Sequence, residues 1–278
     1  MGAPLEMATG APRPGIAEYV RRYTGWREIA PGGVRRCETP SADIPLILNL
    51  GDPFAVRSAD RPGAPAERFG SFVAGIHDRV VETAHPGVSH GVQVDLTPLG
   101  ARMLLGCAMS DVARRTLALS DVLGADGDRL VDRIDGTPGW EARFAVIDGF
   151  IAERLARARP PAGDVAWAWR RLELTRGRVG VRELTAEIGC SRRHLAARFR
   201  DEVGVGPKLL GRILRFEAAI AALRAPEGPG LGDLAVGCGY FDQAHLNRDV
   251  RDFSGLTPAQ VRAGRPVTFV QDPVGARA

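Results

Sequence analysis

The chain has 278 residues, 45% of them hydrophobic and 25% charged, with a formal net charge of +4, a size that accommodates roughly two ordinary domains. It holds no run of about 18 or more apolar residues, and the apolar stretch at 44–50 is far too short to cross a bilayer, which excludes a membrane-spanning helix. Four cysteines, Cys37, Cys107, Cys190 and Cys238, stand without CxxC spacing, which argues against a disulfide framework and a structural zinc site.

Residues 1–15 are rich in Gly, Pro and Ala and read as a loose tail. They lack the basic-then-apolar order of a secretory signal, so the cytoplasm is the expected location. From Trp26 to about Leu96, short apolar or alternating runs (IPLILNL at 44–50, SFVAGIH at 71–77, HGVQVDL at 90–96) are separated by turn signals such as GDP and HPG. That text predicts a small β-barrel or sandwich. Helical patterns follow at 99–106, more weakly at 117–134, and at 140–158, where Phe144, Ile147, Phe150, Ile151 and Leu155 recur at three- and four-residue spacing. This last face is broad enough to cover both the barrel and a second copy of the chain, so a homodimer through it is expected. RPPAGD at 159–164 breaks the pattern and marks the linker.

From Val165 onward everything reads as helical. The expected fold class is therefore α+β: a strand-rich, barrel-like domain with helices over residues 1–160, then an all-α domain over 165–265. The charge is divided in the same way. Residues 165–278 carry 18 Lys and Arg against 12 Asp and Glu, a surplus of six, whereas residues 1–164 carry 19 against 21. A phosphate-binding half needs such a surplus.

Fourteen residues recur 51 positions apart in that basic half. HLAARFRDEVGVGP at 194–207 aligns with HLNRDVRDFSGLTP at 245–258, matching His194 to His245, Leu195 to Leu246, Arg200 to Arg251, Gly204 to Gly255 and Pro207 to Pro258. Each copy is an amphipathic helix stopped by Gly, followed by Pro, and preceded by a short helix and a Gly-containing turn. This is a helix-turn-helix unit present twice, which points to double-stranded DNA as the partner. With Leu195 and Phe199 inward, and Ser191 as the cap, the first recognition helix turns out Arg193, Ala196, Ala197 and Arg200. With Leu246, Val250 and Phe253 inward, the second turns out Gln243, Ala244, Asn247, Arg248 and Arg251. Arg suits guanine and Asn or Gln suits adenine in the major groove. Arg192, Arg200, His245 and Arg251 are the residues expected at phosphates. The intervening helix, 17 residues at 209–225, spans about 25 Å at 1.5 Å per residue and sets the two units about one DNA turn (~34 Å) apart.

The C-terminal hundred residues resemble the DNA-binding domain of the AraC/XylS family of bacterial transcription regulators. The signature segment reads LAVGCGYFDQAHLNRDVRDFSGLTPAQVR at 234–262, with Gly239, Asp242, Gln243, His245, Arg248, Gly255, Pro258 and Arg262 at the family's positions. The resemblance implies a regulator, not an enzyme, without a cofactor, and base-facing roles for Arg193, Ala196, Ala197, Gln243, Ala244, Asn247 and Arg248. It further implies a small-molecule effector held by the N-terminal domain, with RNA polymerase and a second copy as protein partners, in an activator-type regulator. A regulator without a ligand, whose N-terminal half only dimerises or binds a protein, is the alternative. Three departures stand out: Ala196 and Ala197 where longer polar residues are common, Phe241 at a usual serine cap position with Asp242 as the substitute cap, and Val261 for a common aromatic.

Other chemistry is weaker. His77, His85 and His90 lack the tight spacing of a metal site. Cys107 has no base near it in sequence, and Cys190 and Cys238 fit packing roles in the turns. A DNA-repair methyltransferase fused to such a domain would need a Pro-Cys-His-Arg setting that none of the cysteines has, and the β-first text argues against a doubly wound amidotransferase-like domain.

Overall fold

The computed structural model describes residues 5–58, 65–265 and 267–269. The fold is α+β, strand-rich first and helical after. Part of the expected tail is ordered structure: β1 (Leu5–Gly10) pairs antiparallel with β2 (Val20–Ile29), from Leu5 opposite Glu28 to Gly10 opposite Tyr23. Residues 1–4 lie outside the described residues. An edge strand can form on backbone hydrogen bonds to an existing neighbour, so its side chains need not carry a strong apolar pattern.

Seven more strands complete the N-terminal text: β3 (Val34–Thr39), β4 (Ile44–Asn49), β5 (Phe54–Ser58), β6 (Glu67–Phe69), β7 (Phe72–Ala74), β8 (Val81–His85) and β9 (Val88–Leu96). After the helices α1 (Pro98–Leu105) and α2 (Met109–Val112) comes β10 (Thr116–Ala118), which overlaps the start of the stretch expected to be helical at 117–134. It adds to β7, with Leu117 opposite Val73. Among the described residues one sheet runs β1-β2-β9-β4-β7-β10 and a second contains β3-β8-β5-β6.

The two sheets face each other across a cavity. Side chains reach it from alternate positions on each strand: Trp26 and Glu28, Val34, Arg36 and Glu38, Pro45 and Ile47, Phe54 and Val56, Phe72 and Ala74, Val81 and Thr83. This is the period of two that a pleated strand imposes. The other face of the first sheet, with Tyr23, Leu46, Leu48, Val92 and Val94, is buried in the main core. β4 is therefore covered on both sides and buried at all six positions, which is why IPLILNL does not alternate.

Three helices, α3 (Leu119–Leu123), α4 (Ala125–Asp135) and α5 (Trp140–Arg157), finish this half. Helix α5 lies close on β1 and β2. A Cβ built on Gly25 would come within 2.3 Å of the Trp140 ring, so only glycine lets the helix approach this far. Asp148 pins it further, accepting from the Tyr23 hydroxyl at 2.8 Å and the Arg13 amide at 3.0 Å. Phe144, Ile147, Ile151 and Leu155 are all buried within one subunit. These side chains pack against the chain's own sheet and against α1 and α4, while Phe150 on the same helix stays half-buried.

The helical half comprises α6 (Gly163–Leu174), α7 (Val181–Ile188), α8 (Arg192–Val203), α9 (Pro207–Arg224), α10 (Leu231–Gly237), α11 (Gln243–Ser254) and α12 (Pro258–Arg262). The helical reading beyond Val165 needs one correction. β11 (Thr268–Phe269) runs back to the barrel and pairs parallel with β3, Thr268 opposite Glu38 and Phe269 opposite Thr39. Thr39 Oγ1 donates to the Thr268 carbonyl at 3.0 Å. Phe269 packs on Phe216 of α9 with ring centroids 5.8 Å apart, and Arg224 donates to the Val267 carbonyl.

A second junction joins the β3–β4 loop to α9. Glu217 Oε1 accepts from Ser41 Oγ and from the Ala42 amide, each at 2.9 Å. Beside it Arg21 bridges Asp43 and Glu173 of α6. Burial pushes the Asp43 carboxyl up to about 7; Arg21 pulls it down, while Glu217 and Asp95 push it up. A folded-state value above the ordinary 3.8 means that the native protein holds this proton more tightly than the unfolded chain. The associated stability is full below about pH 4 and is lost as pH rises through about 7. Thermal or urea unfolding between pH 4.5 and 8 should show wild type losing a few kcal/mol relative to Asp43→Asn, which keeps the neutral form throughout; parallel pH profiles for the two proteins would refute this assignment.

Candidate nucleic-acid interface

The two recognition helices are built alike. Ser191 caps α8, its hydroxyl accepting from the His194 amide at 3.1 Å. Asp242 caps α11, accepting from the His245 amide at 2.7 Å. The substitute cap read from the sequence is the one the structure uses, and Phe241 before it is left in solvent. Both helices end on left-handed glycines, Gly204 at φ 94° and Gly255 at φ 71°. Gly204 also sits tight on α2, since a Cβ there would come within 2.9 Å of the Met109 carbonyl.

Buried faces fix the rotation of each helix. Leu195, Phe199 and Val203 of α8 are fully buried, as are Leu246 and Val250 of α11, with Phe253 nearly so. The first unit is tied to α6 by Arg198 to Asp164 at 3.1 Å and by Glu202, which accepts from the Ala162 amide at 2.9 Å. The second hangs on α9. Arg212 donates to the buried Asp249 carboxylate at 2.7 and 3.1 Å and to Asp252 at 3.1 Å, while its guanidinium lies 4.8 Å from the Phe253 ring centre. Phe216 and Phe253 pack 5.3 Å apart behind that clamp.

What remains outward is the set read from the sequence. Arg192, Arg193, Ala197 and Arg200 on α8 are exposed and Ala196 is half-buried; Gln243, Ala244, Asn247, Arg248 and Arg251 on α11 are exposed. Among the described residues none of the polar side chains in this set makes a hydrogen bond or ion pair with another side chain, in contrast to Arg198 and Arg212. Arg192 is the first residue of α8, as Gln243 is of α11, so the 51-residue register gives the two the same helix position. His245 is half-buried, packed edge-on against Tyr240 with centroids 5.1 Å apart and 3.9 Å from Asp249. Burial also raises the Tyr240 hydroxyl well above its usual range.

The cavity between the sheets, about 610 Å³, was not legible as a site. Trp26, Ile47 and Phe72 form an apolar cluster at its wall, with Phe54 and Phe69 against them. Trp26 donates its indole N–H to Ser89 at 2.7 Å. Arg36 and His85 both meet Glu28, at 2.8 and 3.1 Å, and burial lowers the His85 imidazole. Arg224, Val261, Val267 and Phe269 from the helical half close the same space. The signal in the sequence was the alternation of Trp26 with Glu28 and of Val34, Arg36 and Glu38, which places polar groups inside a barrel. His77, His85 and His90 do not converge: His85 bonds Glu28 and His90 faces Arg143. Among the described residues no group of three or more His, Cys, Asp or Glu could hold a metal ion. Cys107 is half-buried, and its surroundings push the thiol up, away from a reactive thiolate.

Comparison with known proteins adds a family assignment for this region. Residues 184–264 match the model of a helix-turn-helix domain. No curated protein matches the chain. Among solved structures the chain is similar to ToxT from Vibrio cholerae, at 8% identity over 94% of this chain and 97% of that one, with a TM-score of 0.46. It is also similar to the C-terminal domain of AraT, a response regulator from Geobacillus stearothermophilus, at 18% identity over 42% of this chain and 98% of that one, with a TM-score of 0.35. Two capped recognition helices on one connecting helix, the signature segment at 234–262 and the family match together identify residues 184–264 as the AraC-type helix-turn-helix domain of a DNA-binding transcription regulator.

Proposed function

We propose that the chain reads a bipartite DNA site with α8 and α11 in successive stretches of major groove, and that the cavity between the sheets holds a small-molecule effector that modulates this binding. The DNA reading rests above all on one observation. Two helices anchored on their inner faces by ion pairs present polar outer faces whose side chains have no internal partner among the described residues. Helix α9, 18 residues long, spans about 27 Å at 1.5 Å per residue, which suits units lying about one DNA turn, ~34 Å, apart. In this reading Arg192 and Arg193 lead the first unit, with Ala196 and Ala197 at apolar contacts. Gln243, Ala244, Asn247 and Arg248 read the second half-site. Arg200 and Arg251, near the far ends of their helices, meet phosphates.

The effector reading rests on the cavity's size and lining. Its volume falls within the ~300–1,000 Å³ range of small-molecule sites, apolar walls with a few polar groups being the usual composition. Residues 1–160 then form the effector domain and 165–265 the DNA-binding domain, with β11 as a return strand from the second to the first. ToxT structures include complexes with an unsaturated fatty acid and with a naphthalenyl butenoic acid, so amphipathic carboxylic acids are reasonable first compounds to screen.

Selection from random DNA with the full chain should enrich a two-part motif whose binding weakens steeply with salt, since several arginines neutralise phosphates. Arg248→Ala should cost about 1–3 kcal/mol on that site and relax preference at one or two positions, whereas Arg200→Ala should weaken all sequences alike. A pool with no enriched motif would refute the DNA reading. For the cavity, native mass spectrometry of protein purified from its own cells should detect a bound small molecule that an Ile47→Trp variant, with the space filled, no longer retains. Equal and ligand-free spectra, with unchanged regulation by the filled variant, would favour a regulator whose N-terminal half only binds protein.

A further inference from the structure

Phe241 is 89% exposed, more than any other large hydrophobic residue among the described residues. It precedes the Asp242 cap of α11, the position from which an apolar side chain commonly folds back onto the fourth helical residue. That residue is Leu246, which is wholly buried in the core of the unit, and no such staple covers the phenyl ring. Its counterpart in the first unit, 51 residues earlier, is the half-buried Cys190. The bare ring is therefore peculiar to the second unit. It adjoins Gln243 and Ala244, the exposed first residues of the same helix.

We infer that Phe241 is a specificity-determining residue, packing its ring against the C5-methyl of a thymine at the edge of the groove segment read by α11. The inference rests on the DNA-reading role proposed above. A recognition helix presents its N-terminal end to the base edges, which puts the residue before the cap within reach of the groove wall. Thymine is the base with a methyl group in the major groove, and apolar contact with it is one of the direct ways a protein reads sequence. A phenyl ring neutralises no phosphate, so its contribution is separable from that of the arginines: it alters base preference without altering the salt dependence. Removing a ring that is almost wholly in solvent also leaves the fold intact.

The test uses the full chain and the DNA motif it selects. Each thymine in the half-site assigned to α11 by the Arg248→Ala footprint is replaced in turn by deoxyuridine, which removes only the methyl group. One replacement should weaken wild-type binding about three- to fivefold, the effect of one buried methyl group. Phe241→Ala should bind the thymine site at least that much more weakly and no longer distinguish thymine from deoxyuridine there. Phe241→Leu should restore part of the discrimination, with the same salt slope and unfolding temperature in all three proteins. Unchanged affinity in Phe241→Ala, as a ring serving a protein partner would give, overturns the assignment. So does an equal loss on thymine and deoxyuridine sites, or a half-site without thymine. Failure of wild type to enrich any motif would instead overturn the DNA-reading role itself.

Discussion

The contact between Arg212 and Asp249 organises the DNA-binding half. Asp249 lies on the inner face of α11 with its side chain only 4% exposed, where an unpaired carboxylate would be costly. The Arg212 guanidinium from α9 offsets part of that cost with two hydrogen bonds to Asp249 Oδ1, reaches Asp252 with a third, and covers the Phe253 ring. That contact holds α11 against α9 and acts with the buried Leu246, Val250 and Phe253 to fix its rotation. The outward direction of Gln243, Asn247 and Arg248 follows from that inward anchoring, because on a helix of 3.6 residues per turn the buried positions determine the exposed ones.

The N-terminal half solves a different problem, a sheet that must satisfy two interiors. Its helix-facing side is mainly apolar, with Tyr23, Leu46, Leu48, Val92 and Val94 in the core, while Glu6 and His90 meet Trp140 and Arg143 of α5. The cavity side mixes aromatic rings with charges that are paired where they lie. Glu28 is shared by Arg36 and His85, and Trp26 bonds Ser89. Such pairing offsets the cost of placing charged groups at a cavity wall.

How far the sequence could be read follows from the range of the interactions. The helix-turn-helix units were legible to single residues because caps, glycine stops and 3–4 spacing are local; Ser191, Asp242, Gly204 and Gly255 all act within a turn of their own positions. The double burial of β4 and the close approach of α5 to Gly25 depend on partners far along the chain, so 44–50 announced a strand without saying what covers it. The tail reading of 1–15 and the all-helical reading after Val165 failed for one reason. β1 and β11 are short strands recruited by sheets that other segments build, and two or six residues of ordinary composition carry no sign of it. The outward faces of α8 and α11 were legible for the same reason as the caps, because the buried positions within a turn determine which residues are exposed.

Helix α9 is where the two halves share a mechanical element. Near its start Arg212 holds α11, in its middle Phe216 touches both Phe253 of the second unit and Phe269 of the returning strand, and Glu217 is bonded to the loop after β3. At its end Arg224 holds the Val267 carbonyl and lines the cavity. A ligand that moved β3 or β11 would therefore act on groups one or two turns from those that orient α11, along a helix with no break in its hydrogen-bonded length. Interiors packed at crystal density do not deform gradually. The cavity wall and the second recognition helix are thus joined by one chain of packed contacts through α9.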